Sequence, residues 1–169
     1  MLVPTTRPTR TRAAGAALVV LATVGLAGCA PGVAVQPAPF AADPVCASIV
    51  LALPDELGDG LEQLDTTAQA TTAWGTAQAP VVLRCGVEPP APTTDRCVTV
   101  SGVGGASVDW LVVPDDPDAE STSWTLTTYG RVPAVEVSIP ATVAAERSTS
   151  FVDRLGPAVA QVEPTRACL

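Results

Sequence analysis

The chain contains no histidine and no lysine, so all nine of its basic residues are arginine. These two absences remove the Ser-His and Cys-His nucleophiles, the Ser-Lys pair, the Schiff-base and P-loop lysines, and every histidine-ligated metal site. Aromatic residues make up only 4% of the chain and charged residues 15%, with 9 basic against 17 acidic groups. An acidic balance argues against nucleic acid, whose phosphates are held chiefly by cations. One apolar run near the N-terminus has no successor of comparable length, which argues against several membrane spans. What remains is a 169-residue chain, 47% apolar, too apolar for disorder throughout and long enough for one domain.

The N-terminal run is flanked on its amino side by Arg7, Arg10 and Arg12 and extends over 13–27, the layout of a secretory signal. It ends in Leu26-Ala27-Gly28-Cys29, which resembles the lipobox of bacterial lipoproteins. That resemblance implies a diacylglyceryl group on the Cys29 thiol, cleavage before it, and Cys29 as the first mature residue. The competing reading is an ordinary signal peptide that happens to end in cysteine. Two acyl chains give stable attachment where one gives only marginal, reversible binding. The expected domains are thus 1–28 as signal, 29–42 as lipidated cysteine and tether, and 43–169 as the globular part. Removing 28 residues leaves 141, with six arginines against 17 acidic residues and a net charge of −11. A chain so acidic is held at a membrane by lipid rather than by a polybasic contact. Pro31, Pro37 and Pro39 make 30–42 a semi-extended tether, reaching on the order of 40 Å at about 3 Å per residue.

Four cysteines fall in the globular part: Cys46, Cys85, Cys97 and Cys168. Outside the cytoplasm an even number of thiols without C-x-x-C spacing reads as disulfides, and four allow three pairings. Side-chain direction selects among them. Asp43 as cap, Pro44 in the first turn and the stripe Val45, Ile49, Leu53 predict a helix over 44–53 that Pro54 stops, with Cys46 bordering its buried face. Alternation over 81–87 sets Val81, Leu83, Cys85 and Val87 opposite Arg84. Cys46 and Cys85 therefore share a core. Cys97 instead shares its face with Thr99 and Ser101, away from Val98 and Val100, and suits a partner outside the core, the tail residue Cys168. The expected bonds are Cys46–Cys85 and Cys97–Cys168.

Period-two alternation predicts strands over 81–87, 97–103, 108–113, 123–129 and 132–139, punctuated by Gly and Pro. Val98, Val100, Val108, Trp110, Val112, Trp124, Leu126, Val135, Val137 and Ile139 form the apolar face of the sheet, and the opposite face is largely polar. Two helices, 44–53 and 149–163, are available to cover the dry side; the second carries the stripe Phe151, Leu155, Val159, Val162 and is kinked or broken by Gly156-Pro157. The fold class expected is α+β, a single antiparallel sheet of about five strands covered on one face by an N-terminal and a C-terminal helix. Residues 58–79 read as an irregular crossover ending at Trp74-Gly75.

Five runs together resemble the DUF3515 family of actinobacterial exported proteins and lipoproteins: 46–54 (CASIVLALP), 73–75 (AWG), 81–87 (VVLRCGV), 108–112 (VDWLV) and 127–137 (TTYGRVPAVEV). The resemblance spans most of 43–163. It implies an envelope protein, often lipid-anchored, of a high-GC Gram-positive cell, and it implies no activity. Cys97 and Cys168 lie outside the matching runs, so their pairing rests on strand faces alone.

Several motifs carry potential chemistry. The glycine-rich 102–107 lacks the G-x-G-x-x-G order and reads as a hairpin turn. Asp116, Asp118 and Glu120 alternate as a calcium loop begins, but the glycine and distal glutamate are missing, and a solvated acidic hairpin loop accounts for them. Asp109 and Glu136 are the paired carboxylates of a conceivable cell-wall glycan hydrolase that needs no histidine. The segment 127–131 places Tyr129, the one tyrosine, and Arg131 around a glycine. An arginine fork beside an aromatic wall suits a carboxylate, phosphate or glycan, with Asp109 and Glu136 orienting the guanidinium. The alternative is an Arg131–Glu136 or Arg131–Asp109 pair that only neutralises the polar face. The expected protein is a lipid-anchored, non-catalytic binding or scaffolding module, without cofactor or metal, whose partner is an envelope protein or an anionic or glycan ligand.

Overall fold

Asp43 opens the first helix as its residue type predicts: its Oδ1 accepts from the Val45 amide at 2.9 Å and Pro44 occupies the first turn. In the computed structural model, which describes residues 32–146 and 148–169, this helix, α1, runs over Pro44–Leu51 and buries Cys46 and Ile49. The expected signal segment and Cys29 lie outside the described residues.

One antiparallel sheet follows, made of β1 Gln63–Leu64, β2 Thr71–Thr76, β3 Ala79–Val87, β4 Cys97–Ser101, β5 Ser107–Pro114, β6 Trp124–Thr128 and β7 Ala134–Ile139. Their spatial order is β1-β2-β3-β7-β6-β5-β4. The sheet thus has seven strands where alternation predicts about five. The two added strands come from the stretch read as a crossover. Thr71, Thr72, Ala73 and Trp74 are all buried, so β2 lacks the apolar-polar alternation that marks a half-buried strand. Its polar groups are satisfied within the fold: the Thr71 hydroxyl donates to the Ala68 carbonyl at 2.6 Å and Trp74 Nε1 to the Pro54 carbonyl at 2.9 Å.

The inner face carries Trp74, Val81, Leu83, Cys85, Val108, Trp110, Leu126, Val135, Val137 and Ile139. Cover comes from α1 and from the C-terminal third of the chain. The expected helix over 149–163 is broken: a 3-10 segment, Thr149–Leu155, capped by the Ser148 hydroxyl, passes into a short helix. A further helix, α2 Ala141–Glu146, precedes it, and the short helix is α3 Gly156–Val159. Pro157 lacks the amide a continuous helix needs. The stripe survives the break, since Phe151, Leu155, Val159 and Val162 are all buried.

The expected tether also needs correction, because its described part, 32–42, packs on the domain. Val33 donates to the Asp65 carbonyl at 2.7 Å and accepts from the Thr67 amide at 3.0 Å, and Phe40 donates to the Gly86 carbonyl at 2.8 Å. Ala38 and Ala41 are buried with Val87 and Ala134. Gly86, at φ +88°, permits this approach; a Cβ there would run into the Phe40 backbone. A proline-rich segment has little conformational freedom to lose on docking, which is why it lies ordered against the sheet.

The strand directions give the sheet two distinct ends. One end gathers the 65–70 loop, the exit of β3, the 102–106 turn and the 129–133 loop; the other gathers the β2–β3 turn and the acidic 115–123 loop. Val33 and Phe40 both contact the first end.

Candidate functional site

Register brings the polar outer face into rows. Arg84 stands opposite Glu136, which stands opposite Thr127, then Leu111 and Cys97. Arg84 donates through Nη2 and Nε to Glu136 Oε1 at 2.6 and 3.1 Å. Glu136 is therefore occupied by Arg84, not by Arg131. Asp109 is occupied as well: Oδ1 accepts from the Thr99 hydroxyl at 2.6 Å and Oδ2 from the Cys168 amide at 2.8 Å. Each of the two carboxylates thus has its own partners on the outer face.

Arg131 corrects the sequence reading most sharply. It is only 4% exposed, and its guanidinium turns inward at the end of the sheet. Nη2 donates to the Ser107 carbonyl at 2.9 Å and Nη1 to the Val162 carbonyl, while Nε is buried without a partner. Desolvation lowers its pKa, opposed by attraction to Asp109 and Glu163. Arg131 ties the end of the C-terminal layer to the β4–β5 hairpin; it does not present a fork to solvent. Tyr129 is half-buried, its amide donating to the Asp109 carbonyl at 2.8 Å. The four predicted residues thus lie in one region but serve three separate tasks.

The reason is a segment with a single sequence signal, Cys168. After Val162 the tail crosses onto the outer face, where the Thr165 amide and hydroxyl donate to the Gly130 carbonyl at 2.7 and 2.8 Å. Gly130, at φ +71°, leaves room that a Cβ would take from the Arg166 backbone. The strap ends in the Cys97–Cys168 disulfide; the second disulfide, Cys46–Cys85, joins α1 to β3 beneath the sheet.

The concave site lies on the other face. Where edge strand β4 meets the broken C-terminal layer, a groove of about 560 Å³ is floored by Val98, Val100, Val112 and Leu126. Arg96 and the hydroxyls of Ser148, Thr149 and Ser150 also line it. Alternation identifies its floor as apolar, and the expected cover is a helix over 149–163 kinked or broken at Gly156-Pro157; the stretch before that break, Thr149–Leu155, is 3-10 rather than α-helical. The 3-10 segment covers less, so the valines stay partly buried. Ligand pockets commonly fall in this size range and combine apolar walls with few polar groups.

Elsewhere the 115–120 loop is folded on itself, Asp116 Oδ1 accepting from the Asp118 amide at 3.0 Å. Among the described residues, no group of three or more acidic or cysteine side chains is gathered as for a metal ion, and no helix is long and apolar enough to cross a membrane.

The family model for proteins of unknown function, DUF3515, matches residues 13–168. The chain belongs to that family. No curated protein and no solved structure matches it.

Proposed function

We propose that this protein is an extracytoplasmic lipoprotein, held on the outer face of the membrane through diacylated Cys29, and a non-catalytic binding module of the envelope. The groove beside β4 carries the reading. Its valine floor accepts an apolar chain, and Arg96 supplies a cation for an anionic head group. In the whole mature chain only six cations stand against 17 carboxylates, so an arginine lining an apolar groove gives a locally distinctive contact. Two disulfides agree with an oxidising compartment.

Two measurements test this. Mass spectrometry of the mature N-terminus is expected to find two or more acyl groups on Cys29, and Cys29→Ser is expected to release the protein; unmodified Cys29 refutes the anchor. Calorimetric titration with dodecyl phosphate, below its micelle concentration, is expected to show one saturable site. Arg96→Glu is expected to weaken it at least tenfold and Val100→Asp to abolish it. Equal affinity in all three proteins refutes the groove.

A further inference from the structure

The geometry points to one end of the sheet as a membrane-facing surface, the end that gathers the 65–70, 102–106 and 129–133 segments and contacts the bilayer in which the acyl chains sit. This rests on the lipid attachment proposed above and deepens it by assigning an orientation.

The first observation is the short reach of the anchor. Val33 is bonded to Asp65 and Thr67, so only Cys29, Ala30, Pro31 and Gly32 separate the acylated sulfur from a fixed point. Four residues span at most about 14 Å, far less than a free tether of 29–42. The domain is thereby held close to the membrane by this end, with little freedom to turn another surface toward it.

The second observation is independent of the first. Phe40, Val132 and Val103 are 50%, 64% and 61% exposed, and all three belong to this end: Phe40 bonds the exit of β3, Val132 lies in the β6–β7 loop, and Val103 in the β4–β5 turn. Pro89, Pro90 and Pro92 line a shallow pocket with Val132 beside them. The opposite end carries Asp115, Asp116, Asp118 and Glu120 in one exposed loop. Four carboxylates there disfavour approach to anionic head groups. Four other large apolar residues are exposed and none forms a cluster: Val45 and Leu51 belong to α1 on the helical layer, Val113 stands singly on the outer face near the acidic loop, and Leu169 follows the disulfide-bonded Cys168. Nor does charge draw this face to the membrane, since Asp65 and Glu88 are exposed at that end beside Arg166, while Arg131 is buried. The contact is apolar side chains at the interface, guided by a covalent leash.

The test uses the full chain, lipidated in its host and reconstituted into phosphatidylcholine–phosphatidylglycerol vesicles with brominated acyl chains. Single tryptophans are introduced by Phe40→Trp, Val132→Trp and, at the far loop, Ala119→Trp, and fluorescence quenching is compared with that of the parent protein. Quenching at 40 and 132 is expected to exceed that at 119 at least threefold. Equal quenching at all three, or most at 119, overturns the orientation. Protein with diacylated Cys29 and no quenching anywhere overturns the face alone, whereas an unacylated Cys29 overturns the anchor and the face together.

Discussion

The two disulfides close loops of different length in unlike surroundings. Cys46–Cys85 spans 39 residues and both cysteines are fully buried; Cys97–Cys168 spans 71 and both remain partly accessible on the outer face. The loop-entropy model assigns each roughly 4 kcal/mol, with a difference of only about 0.5 kcal/mol in favour of the longer loop. Loop length therefore does not distinguish them; location does. The first bond lies inside the core and joins the helical layer to β3. The second fastens a strap whose other attachments are Thr165 on Gly130 and the Cys168 amide on Asp109. Cutting the first opens the core, while cutting the second frees a tail.

That contrast predicts a graded series. Cys46→Ala with Cys85→Ala is expected to cost the most, about 4 kcal/mol of lost closure and more for lost sulfur packing. At about 4 °C per kcal/mol for a domain this size, the melting temperature should drop by roughly 15 °C or more in circular dichroism. A drop equal to that of the second pair would erase the distinction. Cys97→Ser with Cys168→Ser is expected to cost about 3 kcal/mol, because the released tail regains entropy in the folded state. Hydrogen exchange should then accelerate over 163–169 while the amides of β3 and β7 stay protected. Mild reductant followed by alkylation should label Cys97 and Cys168 before Cys46 and Cys85, as accessibility requires.

Arg131 comes next in size. Arg131→Met removes the donors to two carbonyls, Ser107 and Val162, and should destabilise by about 2 kcal/mol; a lysine, with a point charge in place of the fork, should recover little of it. An Arg131→Met protein with the parent melting temperature would show that the latch is idle. The smallest effect belongs to the partly exposed Arg84–Glu136 pair, whose side chains are 32% and 19% accessible. Glu136→Gln should shift stability by under about 1 kcal/mol, and less at high salt.

Local patterns made much of this molecule legible. Asp43-Pro44 announces a helix start because capping depends on adjacent residues, and the alternation through 81–87, 108–113 and 132–139 identifies strands and their inward sides because the strand period is two, the last strand starting at Ala134 in the structure. The same parity points Cys85 into the core and Cys97 out of it. Beyond neighbouring residues the signal weakens. Strand β2 is buried on both faces, so no alternation records it, and the docking of 32–42 depends on the positive φ of Gly86, which lies more than forty residues further along the chain.

Arg131 shows where sequence reasoning stops. Residue type alone says that an arginine beside a tyrosine can grip an anion, and that a cation belongs in water. Whether it reaches water depends on the carbonyls of Ser107 and Val162, 24 and 31 residues away, which meet only once the hairpin, the broken helix and the tail have packed. Helix caps and strand faces are set by interactions between near neighbours and so are written in the chain. Burial, hydrogen-bond partners and the openness of the groove are set by which distant segments come together, and the tertiary structure alone decides them.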